Sequence, residues 1–108
     1  MTKAKDRPVK ISPKDTPHFI VEYDPEVEVV EKEGQRGLYE LAPVQLYHSC
    51  KDVAHNANGM KLENPRPALL GIGSNRLFSQ LPQDRKHLVD VKVTGTGFEV
   101  QYEVKTIR

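Results

Sequence analysis

Hydrophobic and polar residues alternate with a period of two over several stretches of the chain, and that period marks strands with one buried face. In His18-Phe19-Ile20-Val21-Glu22-Tyr23 the side chains of Phe19, Val21 and Tyr23 share a face. Asp24-Pro25 then marks a turn. Glu26–Glu31 alternates again, with Val27 and Val29 inward. Glu33–Gly37 reads as a loop and Leu38–Leu41 as a return strand, which together predict a first hairpin. Near the other end, Val89, Val91 and Val93 alternate with Asp90 and Lys92, and Phe98, Val100, Tyr102 and Val104 alternate with polar residues. Gly95-Thr96 between them suits a two-residue turn with Gly in its first position. That turn pairs Val93 with Phe98, Val91 with Val100 and Val89 with Tyr102, and sets Lys92 opposite Glu99.

Between the hairpins the period changes. Leu46, Cys50, Val53 and Ala57 recur at i, i+4, i+7 and i+11, with Tyr47 and Ala54 alongside. Pro43 suits the first turn of a helix and Asn58-Gly59 its end, so the spacing predicts an amphipathic helix over Pro43–Ala57. Met60–Pro67 follows as a loop with two prolines. Ala68–Ile72 reads as a strand buried on both faces, and Ser74 as the cap of a short helix, Asn75–Leu81, that ends at Pro82. Pro8, Pro13 and Pro17 punctuate residues 1–17, which predicts an extended or mobile arm.

The pattern therefore predicts an α+β domain over residues 18–108. An antiparallel sheet of about five strands, two hairpins plus a central strand, carries one amphipathic helix and is preceded by the arm.

Composition sharpens this picture. Leu, Ile, Val and Phe make up 28 of the 108 residues, about a quarter, above the roughly one fifth below which chains stay disordered. The length allows one core and no second domain. The single cysteine, Cys50, excludes an intramolecular disulfide. Residues 1–8 lack the apolar run of a signal peptide, and no stretch is long enough to span a bilayer. The expected setting is cytoplasmic, or within an assembled particle.

The net charge of +1 conceals an asymmetry. Lys3, Lys5, Arg7, Lys10 and Lys14 outnumber Asp6 and Asp15 in the arm. Glu22, Asp24, Glu26, Glu28, Glu31 and Glu33 outnumber Lys32 in the segment 22–33. A basic arm followed by an acidic strand region suits an anionic partner, or contact between the arm and an acidic patch on its own or a neighbouring subunit.

Three constellations carry candidate chemistry. His48, Asp52 and His55 fall at i, i+4 and i+7 of the expected helix, a spacing that presents metal ligands on one face, with His18 or His87 to supply a further ligand if the fold brings one near. That face lies opposite the Leu46–Cys50–Val53 stripe, so it reads as a solvated polar face with no metal, and Cys50 as an inert core residue. Gly71, Gly73, Ser74, Asn75 and Arg76 form a strand–turn–helix start that can hold a small anion on free backbone N–H groups, although Arg76 stands where the dinucleotide fingerprint has Gly or Ala and no full βαβ unit surrounds it. The arm with Arg85 and Lys86 forms a basic set for a protein partner or nucleic acid, but few aromatic side chains remain to stack bases.

No closed catalytic set and no cofactor motif emerges. The sequence reads as a non-enzymatic interaction or assembly protein: a small structural, connector or inhibitor subunit, as in viral or phage particles, that engages a protein partner or itself through its arm and sheet edge. The alternatives are a nucleic-acid-binding accessory protein that uses the arm, and a small enzyme or anion binder at the Gly71–Arg76 turn.

Overall fold

The computed structural model of the protein describes residues 9–13, 15–35, 37–53, 59–72, 75–95 and 99–108. Among these, seven strands and one helix follow in the order β1 (Val9–Ile11), β2 (His18–Tyr23), β3 (Val30–Gly34), β4 (Gly37–Cys50), β5 (Arg66–Gly71), α1 (Asn75–Phe78), β6 (His87–Thr94) and β7 (Gln101–Thr106). All seven strands belong to one sheet of order β1-β5-β4-β2-β6-β7, with β3 also paired to β4. β1 runs parallel to β5 and every other pair is antiparallel, so the sheet is mixed.

The α+β expectation is overturned: the fold is mostly β, and the segment read as the main helix is largely strand. Residues 43–50 are the second half of β4, the longest strand. The physical reason lies in the spacing. Positions i and i+4 share a face in a helix and, four being a multiple of two, in a uniform strand as well, so the spacing of Leu46 and Cys50 cannot choose between them; in the sheet the register shift between Ile20 and Val21 turns the two to opposite faces. Ala42, Val44 and Leu46 are buried while Pro43 and Gln45 are not, which is the period of a strand. Pro43 fits because one side of the strand is open there. β3 pairs with β4 only as far as Leu41, and β2 begins at Val44 on the same side, so no neighbour needs the missing N–H. Of the remaining helix positions, Val53 lies in the loop after β4 and Ala57 lies outside the described residues.

The short second helix is present as the single turn α1, where Leu77 is fully buried. Its continuation tightens: Gln80 and Leu81 donate to the carbonyls of Leu77 and Phe78, three residues back. α1, Leu81 and Ile72 close one face of the sheet over Phe19, Val21, Tyr23, Val44, Leu70, Val89, Val91 and Val93. Val9–Ile11, within the segment read as an arm, adds an edge strand whose Ile11 is buried in that core. Lys3, Lys5, Arg7 and Lys14 lie outside the described residues.

Two corrections follow in the hairpins. Val27 and Val29, read as inward, are exposed in the turn region between β2 and β3. In the C-terminal hairpin Val93 pairs with Tyr102, Val91 with Val104 and Val89 with Thr106. This register is displaced by four residues from the expected one. An even shift keeps every side chain on its own face, so hydrophobic alternation cannot tell the two registers apart. The observed one places Lys92 opposite Glu103 and also Asp90 opposite Lys105, where the shorter loop offers only Lys92 with Glu99. Gly95 opens the longer loop at φ 80°, a conformation natural to glycine.

Candidate functional site

Two features stand out once the sheet is assembled: a hairpin that carries little core, and a polar pair buried on the sheet's second face.

The hairpin is β3 with the first half of β4, which face each other from Val30 and Leu41 to Gly34 and Gly37. Alternation places Glu31, Glu33, Leu38 and Glu40 on one of its faces, since Glu31 pairs with Glu40 and Glu33 with Leu38. All four are exposed, and Leu38 is 70% exposed, the most exposed large hydrophobic side chain among the described residues. Like charges directly opposite destabilise a strand pair, so Glu31 and Glu40 weaken the hairpin that holds them. The other face carries Lys32 and Tyr39. Lys10 of β1 lies over the Tyr39 ring at 4.5 Å from its centroid, and its Nζ donates to the Tyr39 hydroxyl at 3.4 Å. The hairpin is thus tethered on one face and open on the other. At its base, Glu22, Asp24, Val27, Pro43, Pro67, Leu69 and Lys86 line an open groove of about 330 Å³.

The second face of the sheet is covered near its centre, where Ile20, Leu41 and Leu88 are buried with His18 and Asp90. His18 on β2 and Asp90 on β6 are diagonal neighbours on that face. The His18 Nε2–H donates to Asp90 Oδ1 at 2.6 Å, a charge-assisted bond with both side chains nearly free of solvent. His48 of β4 meets the His18 ring edge-on, with centroids 5.2 Å apart. A bulge between Ile20 and Val21 makes this possible: it shifts the β2–β4 register so that His48 pairs with Ile20 on the second face.

The sequence-predicted metal set is therefore rearranged. His48 sits on a strand rather than a solvated helix face, and His18 is the histidine the fold brings to it. Asp52 lies exposed in the following loop, where its N–H donates to Cys50 Sγ at 3.3 Å. His55 lies outside the described residues. No group of three or more His, Cys, Asp or Glu side chains that could hold a metal ion comes together among the described residues. Cys50, read as a core residue, is only half-buried at the end of β4.

At the expected anion site Gly71 ends β5, and Gly73 and Ser74 lie outside the described residues. Asn75 and Arg76 begin α1. The Arg76 guanidinium donates to the Val100 carbonyl at 3.0 Å, tying α1 to the segment before β7. It borders an open depression of about 1000 Å³ between α1 and the C-terminal hairpin, together with Gln80, Glu99 and Tyr102. Of the basic set, Arg85 Nε lies 3.9 Å from Asp84 and Lys86 Nζ 4.0 Å from Glu22, so each cation has an acidic neighbour. Asp84 in turn accepts from His87 Nε2 at 3.1 Å, and that bond holds its carboxyl below the usual carboxylate value.

Sequence reasoning missed both standout features as sites. Asp90 occupies a polar position of an alternating strand, which reads as solvent-facing unless the second face is known to be covered. The hairpin face had one signal, the acidic run of residues 22–33, and strand pairing adds Glu40 and Leu38 to it.

No family model, curated protein or solved structure matches the chain. Among the described residues no helix is long and apolar enough to cross a membrane.

Proposed function

We propose that this chain is a non-enzymatic interaction or assembly protein that docks on a protein partner through the open face of the β3–β4 hairpin. One observation carries the reading: Leu38, 70% exposed, stands among Glu31, Glu33 and Glu40 on a two-stranded projection. An isolated two-stranded hairpin is marginal in water, and this one retains a like-charge cross-strand pair. A partner that places Lys or Arg side chains between Glu31 and Glu40 relieves that repulsion on binding. Seating Leu38 in an apolar pocket removes an exposed large side chain from water, worth roughly 1.5–3 kcal/mol on full burial. The partner chemistry that fits is thus an apolar pocket rimmed by basic residues. A basic arm like that of residues 1–17, on a neighbouring subunit or another protein, has the complementary charge. A cytoplasmic or particle-interior setting agrees with a sequence that holds a single cysteine.

The test removes the projection and keeps the core. Replacing residues 31–40 by Asn-Gly joins Val30 to Leu41, which already face each other across the hairpin. The shortened chain is expected to keep its β-sheet circular dichroism and melt cooperatively while losing co-purification with the partner of the intact chain. Retention of the same partner by the shortened chain overturns the reading.

A further inference from the structure

We propose that the outer edge of β7 pairs with β7 of a second copy of this chain, forming a two-fold antiparallel junction centred on Val104. The proposal goes beyond the hairpin reading and uses a different edge of the sheet. β7 ends the strand order, and no strand among the described residues lies beyond it.

The hydrogen bonds at the end of the β6–β7 ladder establish which backbone groups face outward. Ile107 N–H donates to the Leu88 carbonyl at 2.7 Å, and Leu88 N–H donates to the Arg108 carbonyl at 3.1 Å. Ile107 therefore points its N–H toward β6. By alternation so do Lys105, Glu103 and Gln101, while Tyr102, Val104 and Thr106 present N–H and C=O to the outside. Two further bonds agree with this phase. The Val100 carbonyl turns outward to accept from Arg76, and Val93 N–H on β6 points away from β7 to the Pro17 carbonyl at 2.7 Å.

Charge then selects one register. Antiparallel pairing of two such edges must join outward residues to outward residues. With Val104 opposite the partner's Val104, Tyr102 pairs with the partner's Thr106, and each N–H of Tyr102, Val104 and Thr106 meets a carbonyl of the other copy. Glu103 then faces the partner's Lys105, and Lys105 the partner's Glu103, in the close pairs that bring side chains nearest. Sliding by one pair in one direction sets Glu103 against the partner's Glu103, and in the other direction Lys105 against the partner's Lys105. Charges on an edge strand ordinarily discourage pairing. Here a Glu and a Lys two residues apart make the edge self-complementary in a single register, as a two-fold interface requires. β7 has no Pro or Gly to interrupt it.

Sedimentation equilibrium of the full chain between about 1 μM and about 1 mM spans the affinities of a small edge interface. The expected mass rises from the 12.2 kDa monomer toward twice that value. Thr106→Pro removes one outward N–H without touching the β6 ladder, and is expected to weaken association at least tenfold. Glu103→Lys and Lys105→Glu each place like charges across the junction and are expected to be monomeric alone. An equimolar mixture of these two variants restores every opposite-charge pair and is expected to dimerise. A wild-type chain that stays monomeric throughout overturns the proposal. So does a dimer that Thr106→Pro leaves unweakened, because association then runs through another face; that variant decides the matter if a charge variant fails to fold. Neither result bears on the hairpin, whose partner binding is scored separately with the shortened chain.

Discussion

Replacing Asp90 by Val removes the acceptor of a fully buried imidazole, and the structure supports a numerical expectation. His18 has no solvent exposure, and its Nδ1 finds no hydrogen-bond partner among the described residues. In the variant the Nε2–H loses its acceptor as well. A hydrogen bond to a charged group contributes about 1.5–3 kcal/mol, and an orphaned buried polar group costs about 1–3 kcal/mol. Breaking a buried pair outright costs about 3–5 kcal/mol. We therefore expect Asp90→Val to cost about 3 kcal/mol, which for a chain of this size lowers Tm by roughly 10–20 °C. The double variant His18→Phe/Asp90→Val replaces both polar groups with apolar ones and leaves nothing unpaired. Its cost should fall short of the two single costs added together by about 2–3 kcal/mol. Urea denaturation at neutral pH, followed by circular dichroism, measures all three variants. A cost below about 1 kcal/mol for Asp90→Val, or strict additivity of the two changes, refutes the reasoning.

Three further outcomes follow from the same geometry. Gly95→Ala should cost about 2 kcal/mol of stability, because Cβ at φ 80° would lie 2.4 Å from the Glu99 carbonyl oxygen; a neutral result in thermal melts contradicts the loop geometry. Ile11→Ala should cost roughly 2–3 kcal/mol, since β1 carries a buried side chain into the core; an unchanged urea midpoint shows that β1 is dispensable. Asp84 has a lowered carboxyl pKa in the fold, so its contribution to stability is complete above the ordinary value of 3.8 and is lost as pH falls through the lowered folded value. Asp84→Asn should lower stability slightly and evenly through the neutral range and remove the loss on acidification, so that thermal melts of the two chains converge at acid pH.

The strands were legible wherever one face met a continuous core. Phe19, Val21 and Tyr23, and Val89, Val91 and Val93, announce their strands because each inward side chain is apolar and its neighbours are mostly polar. β4 was misread because the spacing of Leu46 and Cys50 suits both periods, and only tertiary pairing on both sides decides between them. The C-terminal register was ambiguous for a related reason: hydrophobic patterning is blind to even shifts, and only the charge pairs Lys92–Glu103 and Asp90–Lys105 distinguish the choices. The buried His18–Asp90 pair joins residues 72 positions apart, and no local pattern links them. The acidic run was visible from the start, but its grouping with Leu38 and Glu40 needs the hairpin register.

The central claim is that the open hairpin face meets a protein partner, and position 38 reports on it most directly. A photo-crosslinking amino acid at Leu38 should give one protein adduct of defined mass in the cells that make this chain, and charge reversal at Glu31 and Glu40 should abolish it. The same probe at exposed Lys51 should give none. No adduct at position 38, or an adduct unchanged by the charge reversal, contradicts the account.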